Sequence, residues 1–266
     1  MNINEVVYVN LQSRPDRKEN ILRTLAESQV PEEIIRPHIA TDANNHESFE
    51  ALCRAAIADG YGDRFEPYLE NPPYLDELYW WVGIGDIACV WTKLRLFDEL
   101  RQSDQSTLIL EDDCVLLKSF NEIQSLVSSV EADLVQLDYV VREGAPTHQS
   151  APEMSELVTG FAGLGEYALV VNNRGAQVLY DLLLHKVPGD SFHLDQKIGD
   201  VAASIGEGRK TYAAAEKKWV TRRKTKDSDR INADITNWQQ FPNIFLDDGI
   251  TGAESRKGFI EAYTNS

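Results

Sequence analysis

The stretch that decides the fold of this chain is Thr107-Leu108-Ile109-Leu110-Glu111-Asp112-Asp113, an apolar run that ends in three acids. Its length and apolar character predict a buried strand. In an α/β sheet the last side chains of a strand lie at the edge where ligands bind. The three acids therefore mark a candidate functional site.

Three adjacent carboxylates repel one another unless a cation lies between them. Carboxylate oxygens are hard ligands that suit Mg²⁺ or Mn²⁺, and such a metal can hold the diphosphate of a nucleotide-sugar. Asp113 is the first candidate for a direct ligand, and Glu111 is a second. The alternative is an ordinary loop in which Asp113 caps a turn or the helix near Ser119.

Apolar runs alternate with amphipathic stretches along much of the 266-residue chain. Strands are predicted at 5–11, 33–39, 106–110, 134–137 and 167–171, and helices at 16–28, 48–58, 83–101, 120–130, 174–184 and 193–205. This alternation predicts an α/β fold with a mainly parallel sheet covered by helices. Residues 142–157 are polar, carry two prolines and are predicted to form a loop.

One domain over residues 1–211 accounts for this pattern, with an aromatic- and proline-rich insertion or lid at 59–80. Residues 212–266 lack a regular pattern and are predicted to form an irregular C-terminal extension packed on the same domain. The sequence contains neither GxGxxG nor GxxxxGK followed by Ser or Thr. Classical dinucleotide binding and P-loop chemistry are therefore disfavoured.

The formal net charge of −17 argues against broad binding to nucleic acid or to anionic membranes. Basic residues nevertheless crowd between 209 and 230, where they form either a patch that meets a phosphate-bearing ligand or a solvated surface. The apolar runs are strand-length, so no transmembrane segment is predicted. The first residues show no basic stretch followed by an apolar signal core, which predicts a cytoplasmic protein.

Four separated segments resemble glycosyltransferase family 25, in the order in which the family has them. They are VYVNLQSRPDR at 7–17, GDIACVWTK at 85–93, LILEDD at 108–113 and GEYALVVNNRGA at 165–176. This family includes bacterial lipooligosaccharide galactosyltransferases and the procollagen galactosyltransferases. The second segment departs from the family pattern, because Thr92 and Lys93 stand in place of Ser and His.

The resemblance implies a GT-A fold, a nucleotide-sugar donor, a divalent cation and inversion at the anomeric carbon of the sugar. The predicted function is therefore the metal-dependent transfer of a hexose, galactose or glucose, from a UDP-sugar to an acceptor hydroxyl. Mn²⁺ or Mg²⁺ is the predicted cofactor. The acceptor is predicted to be a glycan, a hydroxylated protein or a modified base, with nucleic acid disfavoured by the net charge.

Residues that bind the donor are expected at the end of the first strand. Asn10 and Leu11 lie where backbone or amide groups can read the nucleotide base. The guanidinium groups of Arg14 and Arg17 suit contacts with phosphate or ribose. The alternative for Arg17 is a solvated position on the first turn of the predicted helix.

Further site residues are expected in the acidic segment and beyond it. Glu111 and Asp112 are expected to hold the ribose hydroxyls or to reach the metal through water. Asp195, which falls where the family has an Asp, is the candidate for the base that an inverting enzyme needs. Glu166 follows glycines that allow a sugar to approach closely. His193 is either a third metal ligand or base, or a surface or capping histidine.

Two other functions fit the acidic segment. A metal-dependent phosphohydrolase or nuclease can use the same acids, although such enzymes usually hold two metals with carboxylates from several strands. A catalytically inactive glycan-binding module is the other alternative, because Thr92 and Lys93 depart from the family pattern. Release of nucleotide diphosphate, release of inorganic phosphate, or binding without turnover distinguishes the three functions.

Overall fold

The computed structural model describes residues 1–72, 84–129, 132–137, 147–151, 154–157, 168–185, 212–215 and 220–222. The strands are Ile3–Asn10 (β1), Ile35–Ile39 (β2), Ser106–Glu111 (β3), Cys114–Leu116 (β4), Leu134–Gln136 (β5), Thr147–Ala151 (β6), Met154–Leu157 (β7), Ala168–Val171 (β8), Tyr212–Ala215 (β9) and Val220–Arg222 (β10). The α-helices are Pro15–Glu27 (α1), Phe49–Ala58 (α2), Gly62–Glu70 (α3), Ile84–Leu100 (α4), Phe120–Ser128 (α5) and Asn173–Leu184 (α6). The predicted helix at 193–205 lies outside the described residues.

Eight of the described strands form one sheet in the order β2-β1-β3-β8-β5-β9-β7-β6. β1 lies parallel to both β2 and β3, and β5 lies parallel to β9. β8 runs antiparallel to β3 and β5, and β7 runs antiparallel to β6 and β9. β4 pairs with β10 in a separate two-stranded sheet. The architecture is the predicted α/β fold, built on a mixed sheet.

Apolar side chains of the central strands alternate between the two faces of the sheet. Val7 and Ile109 pack with α2, α3, α4 and α6 on one face. Val6 and Leu108 pack with α1 and α5 on the other face. Helices therefore cover both faces, as predicted. Burial on both faces also explains the uninterrupted apolar runs at 6–9 in β1 and 108–110 in β3.

The helices α1 and α4 follow the sequence signals closely. α1 begins at Pro15, whose missing N–H suits the first turn of a helix. α4 buries apolar side chains at spacings of three and four, as its sequence predicts. Cys89 of α4 is exposed, although apolar residues flank it in the sequence. Within the described residues, no helix has the length and the apolar character needed to cross a bilayer.

The segment 59–80 contains a helix that its sequence does not suggest. α3 occupies Gly62–Glu70, carries Pro67 within it and buries Phe65 and Tyr68 in the core. Glycine and proline signals concealed this helix, whereas the buried aromatic rings stabilise it. The remainder of the segment, from residue 73, lies outside the described residues.

Strands occur in two segments that are predicted to be irregular, so the loop prediction for 142–157 is wrong and the prediction for 212–266 does not hold at its described start. Residues 142–157, predicted as a loop, contain the hairpin of β6 and β7. The start of the segment 212–266, predicted to be irregular, supplies β9 to the main sheet and β10 to the pair with β4. Strand pairing depends on backbone hydrogen bonds, so polar or alanine-rich strands at one end of a sheet carry little sequence signal.

Candidate functional site

The carboxyl ends of β1 and β3 lie side by side because the two strands are parallel neighbours. Val9 stands opposite Glu111 in the register of this pair, so Asn10 and Asp112 follow at the same edge of the sheet. Both of these residues are buried, with 4% and 7% of their surface exposed. The structure therefore brings together two predicted donor-site residues that are 102 positions apart in the sequence.

The Asp112 carboxylate has a partner on each oxygen. Nδ2 of Asn10 donates to Oδ2 at 2.7 Å, and Nη1 of Arg17 donates to Oδ1 at 3.0 Å. Nδ2 of Asn10 also donates to the backbone carbonyl of Arg14 at 3.2 Å, which fixes the orientation of the amide. Charge-assisted hydrogen bonds of this kind are strong and directional. Asp112 therefore joins β1, α1 and the end of β3 into one unit.

Arg17 is the predicted donor-binding arginine that reaches the acids. It projects from the first turn of α1 and keeps 23% of its side chain exposed. Its Nε is buried and has no hydrogen-bond partner among the described residues. A buried N–H without a partner costs free energy. The position therefore suits an oxygen atom of a bound anion.

Arg14 and Leu11 form the turn between β1 and α1. Nε and Nη2 of Arg14 donate to the two carboxylate oxygens of Asp16 at 3.0 and 2.9 Å. This pairing lowers the pKa of Asp16 to about 2. The carbonyl of Leu11 accepts the N–H of Arg14 at 2.9 Å. Contact of Arg14 and Leu11 with a donor stays a prediction.

Glu111 contacts a basic residue that the sequence analysis does not place in the site. Nζ of Lys93 lies 3.5 Å from Oε1 of Glu111, and the exposed fractions of the two side chains are 9% and 24%. Lys93 follows Val90 by three positions and precedes Phe97 by four, so it belongs to the buried face of α4. Lysine is rarely buried unless it is paired. A lysine at an apolar position of a predicted helix is thus the sequence signal that could have placed Lys93 in the site.

Asp112 and Asp113 form the connection between β3 and β4, and Asp113 is half-buried there. The alternative in which Asp113 caps the helix near Ser119 is wrong. Ser119 itself caps α5, in a capping box with Glu122. The role of Asp113 as a direct metal ligand stays a prediction.

The loop that follows β2 covers the same edge of the sheet. Oγ of Ser13 donates to Oδ2 of Asp42 at 2.7 Å, and this hydrogen bond lowers the pKa of Asp42. The backbone N–H of Thr41 donates to Oγ1 of Thr92 in α4 at 2.8 Å. These contacts join residues 29 and 51 positions apart. No local spacing in the sequence could have identified them.

Three predicted site residues, Glu166, His193 and Asp195, lie outside the described residues. Their roles near the acceptor, on the metal and as the base stay predictions. Within the part of the chain that the structure describes, no group of three or more His, Cys, Asp or Glu side chains is arranged to hold a metal ion. A metal at this edge would therefore need further ligands from the donor, from water or from residues outside the described part of the chain.

The model of the glycosyltransferase family 25 (LPS biosynthesis protein) matches residues 4–192. This chain belongs to glycosyltransferase family 25. The match runs from the first strand through the acidic segment and past α6. It confirms the resemblance that the four short segments indicate.

Two curated relatives of the family 25 chain carry names that state an activity. Procollagen galactosyltransferase 1 of Danio rerio is 28% identical over 201 residues, which cover 72% of this chain and 31% of that protein. Procollagen galactosyltransferase 2 of Homo sapiens is 26% identical over 188 residues, which cover 67% of this chain and 28% of that protein. This chain thus matches less than a third of the length of either relative.

Among solved structures, the glycosyltransferase GlyE of Streptococcus pneumoniae TIGR4 aligns with a TM-score of 0.40 and 14% sequence identity. The alignment covers 93% of this chain and 52% of that chain. The apo form of the same glycosyltransferase aligns with a TM-score of 0.39 and 12% identity, over 80% of this chain and 45% of that chain.

Three of the family 25 segments meet at the edge described above. Segment 7–17 supplies Arg17, segment 85–93 supplies Lys93, and segment 108–113 supplies Glu111 and Asp112. These side chains form two ion pairs on consecutive residues of the chain. The structure thus gathers separate family motifs into one polar site at the edge of the sheet.

Proposed function

We propose that this chain transfers a hexose, galactose or glucose, from a UDP-sugar to an acceptor hydroxyl with inversion at the anomeric carbon. Mn²⁺ or Mg²⁺ is the proposed cofactor, and the fold is proposed to be of the GT-A type. The observation that carries this proposal is the convergence of three family 25 segments on one edge of the sheet, with Arg17 and Lys93 paired to consecutive carboxylates.

In the proposed reaction the bond between the anomeric carbon and the β-phosphate oxygen breaks, and a bond to the acceptor oxygen forms on the opposite face of the sugar. UDP leaves with the bonding electron pair, and the acceptor proton passes to a base. Negative charge therefore develops on the diphosphate, and stabilising that charge is the main task of the site. Nε of Arg17 has no hydrogen-bond partner among the described residues. It is therefore suited to donate to one of the diphosphate oxygens.

Asp112 and Asn10 support this contact by fixing Arg17. Nη1 of Arg17 is held at 3.0 Å by Asp112, and Asn10 holds the other oxygen of that carboxylate at 2.7 Å. The guanidinium group is therefore oriented before a donor arrives. A preorganised charge needs no rearrangement during the reaction, which makes it more effective than a mobile one.

The carboxylates at this edge fit a hard divalent cation that shares its coordination with the substrate. Mg²⁺ is usually bound by one or two carboxylates together with substrate phosphates and water. Both oxygens of Asp112 have protein partners, so Asp113 and Glu111 are the residues that would hold the ion, with His193 as a further proposed ligand. When bound, such an ion acts as a Lewis acid on the leaving diphosphate.

The acceptor side of the proposal depends on residues beyond those described. Asp195 is the proposed base, and Glu166 is proposed to lie near the acceptor. The names of the two relatives state galactose transfer to procollagen. UDP-galactose is therefore the first donor to test, and a hydroxylated collagen-type peptide is the first acceptor, with glycans and modified bases as further candidates.

A thermal-shift titration against UDP-, GDP-, CMP- and TDP-sugars tests the donor, each with Mn²⁺, Mg²⁺ or EDTA. A ligand at 100 times its dissociation constant raises the free energy of unfolding by about 2.7 kcal/mol. We expect a UDP-sugar to give the largest shift and the metal to increase it. UDP release from the preferred donor, measured with and without acceptor, then tests transfer.

The results that contradict the proposal are specific. If no nucleotide-sugar shifts the unfolding midpoint under any condition, the donor site is wrong. If inorganic phosphate is released instead of UDP, the protein is a phosphohydrolase. If a UDP-sugar binds but no acceptor in the panel gives turnover, the inactive glycan-binding alternative gains support.

A further inference from the structure

Lys93 is a buried basic residue beside the acids. The proposed reaction gives its side chain no role. It is 8% exposed, and its Nζ lies 3.5 Å from Oε1 of Glu111. In the segment that resembles family 25, Lys93 stands where the pattern has His. This chain therefore has an amine at the position where the family pattern has an imidazole.

Lys93 and Arg17 approach consecutive carboxylates from opposite faces of the sheet. α4 packs on one face and α1 on the other. Successive side chains of a strand point to opposite faces, which is why Glu111 meets α4 whereas Asp112 meets α1. The acidic segment thus forms an ion pair with a basic residue from each of the two layers of helices.

These two cations change the electrostatics of the acidic segment. The acids at 111–113 carry a charge of −3 in their ionised form, and the pairing with Lys93 and Arg17 places a positive charge against two of these three carboxylates. By Coulomb's law, a group whose negative charge is partly offset attracts a divalent cation less strongly and repels a diphosphate less. The two effects have opposite signs, and both depend on Lys93.

We propose that Lys93 is a charge-balancing residue of the donor site. Its charge offsets that of Glu111, so that the donor diphosphate binds in part without a metal, and the same charge limits the affinity of the acids for a divalent cation. This inference rests on the proposed function, because it takes a nucleoside diphosphate as the ligand of this edge. Lys93 acts through the field at the site and through Glu111, as a positioning residue.

The neighbouring residue Thr92 fixes the part of α4 that carries Lys93. Oγ1 of Thr92 accepts the N–H of Thr41 at 2.8 Å and donates to the carbonyl of Ala88 at 2.8 Å. α4 is thereby tied to the loop that follows β2. The ammonium group is held near Glu111 before any ligand binds, so its contribution is built into the folded site.

Calorimetric titration of the full chain with two probes tests this inference. The first probe is UDP in the presence of EDTA, and the second is Mn²⁺ alone. We expect Lys93→Gln and Lys93→Met to weaken UDP binding about tenfold and to strengthen Mn²⁺ binding about tenfold. Lys93→Arg should keep both affinities near those of the wild type, because it keeps a positive charge at this position.

Lys118→Met is the matched control, because Lys118 forms an exposed pair with Glu122 at 3.3 Å. This variant should change neither affinity by more than about twofold. Lys93→Gln guards against a folding defect, because it keeps a polar side chain at this buried position while removing the charge. Circular dichroism and the unfolding midpoint confirm that each variant is folded before titration.

The signs of the two changes decide the result. A Lys93→Gln variant in which both affinities fall together shows a merely structural lysine, and unchanged affinities show that its charge does not reach the ligands; either result overturns the inference and leaves the proposed transferase intact. A wild-type chain that binds no UDP and no UDP-sugar, with or without metal, removes both the proposed function and this inference.

Discussion

Two of the four segments that resemble family 25 play different parts in this molecule. Segment 108–113 ends β3 in three acids, two of which contact basic residues of α1 and α4. Segment 165–176 is described from residue 168 and leads from β8 into α6. The first segment arranges charge, whereas the described part of the second arranges packing. A family motif therefore identifies a ligand site only where the structure brings polar groups together.

The packing role of the second segment depends on Gly175. A Cβ atom at this position would lie 2.2 Å from the carbonyl oxygen of Asp133, which no side chain can accommodate. Asn172 accepts the N–H of Gly175 at 2.9 Å and donates to Oδ1 of Asp133 at 2.7 Å. The start of α6 is thus fixed against the chain that precedes β5.

Gly175→Ala should give the largest loss of stability. Because the clash is with backbone, α6 or the chain at Asp133 must move, and we expect the free energy of unfolding to fall by about 3 kcal/mol. Urea unfolding measures this change. Gly85→Ala is the matched control from another family segment, because nothing lies within 4 Å of its added Cβ. It should leave stability unchanged or raise it by up to about 1 kcal/mol. Equal losses in the two variants would contradict the packing role.

Asp113→Asn tests whether segment 108–113 serves a ligand site. If Asp113 binds the metal, the rate of metal-dependent transfer should fall about a hundredfold or more, because the metal contributes several kcal/mol to transition-state stabilisation. The free energy of unfolding should change by less than about 1 kcal/mol. Asp104→Asn, an exposed acid just before β3, is the control and should alter neither quantity. A large loss of stability with Asp113→Asn would instead support a structural turn.

The same contrast explains how much of the fold the sequence predicts. β1, β3, α1, α4 and α6 were predicted to within a few residues, because each buries a long apolar run or stripe. α3 was missed, since Gly62 and Pro67 suggest a loop although the helix buries Phe65 and Tyr68. β6, β7 and β9 were missed as well. Backbone hydrogen bonds pair these strands, and their sequences lack an alternation of apolar and polar residues long enough to predict a strand.

The contacts of the site that strand order determines could be predicted from the sequence. The contacts that depend on how the helices pack could not. Asn10 and Asp112 follow the ends of neighbouring parallel strands, so their meeting could be expected from the strand order. The contact of Lys93 with Glu111 depends on how α4 lies across the sheet. No spacing within a single segment encodes that geometry, although a lysine on a buried helix face does call for an acidic partner.

The two cation pairs of the acidic segment should differ in their contribution to stability. Asp112 accepts hydrogen bonds on both oxygens, at 2.7 and 3.0 Å. Asp112→Asn has one acceptor oxygen fewer and places its own N–H₂ against a donor, so we expect a loss of about 3 kcal/mol. The glutamine in Glu111→Gln can turn its amide oxygen towards the Lys93 ammonium, which lies 3.5 Å from Oε1 of Glu111, so a loss of about 1 kcal/mol is expected.

Urea unfolding of both variants measures this difference. The double variant Asp112→Asn with Arg17→Met should be less destabilised than the sum of the single variants, because no buried charge then lacks its partner. Equal losses for Asp112→Asn and Glu111→Gln would show that the two pairs are equivalent. Additive losses in the double variant would show that Arg17 and Asp112 are not coupled.

His38 of β2 is a histidine whose titration should make the stability of the protein depend on pH. It stands opposite Val9 of β1, and burial, followed by the positive charges of Arg95 and Arg36, lowers its pKa to about 4. The unfolded chain protonates histidine near its ordinary pKa of about 6.5. Between these values the unfolded state binds the extra proton, so stability is lost as the pH falls from about 6.5 towards 4.

We expect this loss to reach at most about 3 kcal/mol, at 1.36 kcal/mol for each pKa unit. Urea unfolding at several pH values measures it, and His38→Gln should flatten the slope between pH 6.5 and 4 because the titrating group is gone. A slope that survives His38→Gln unchanged would show that groups other than His38 cause the loss of stability in acid.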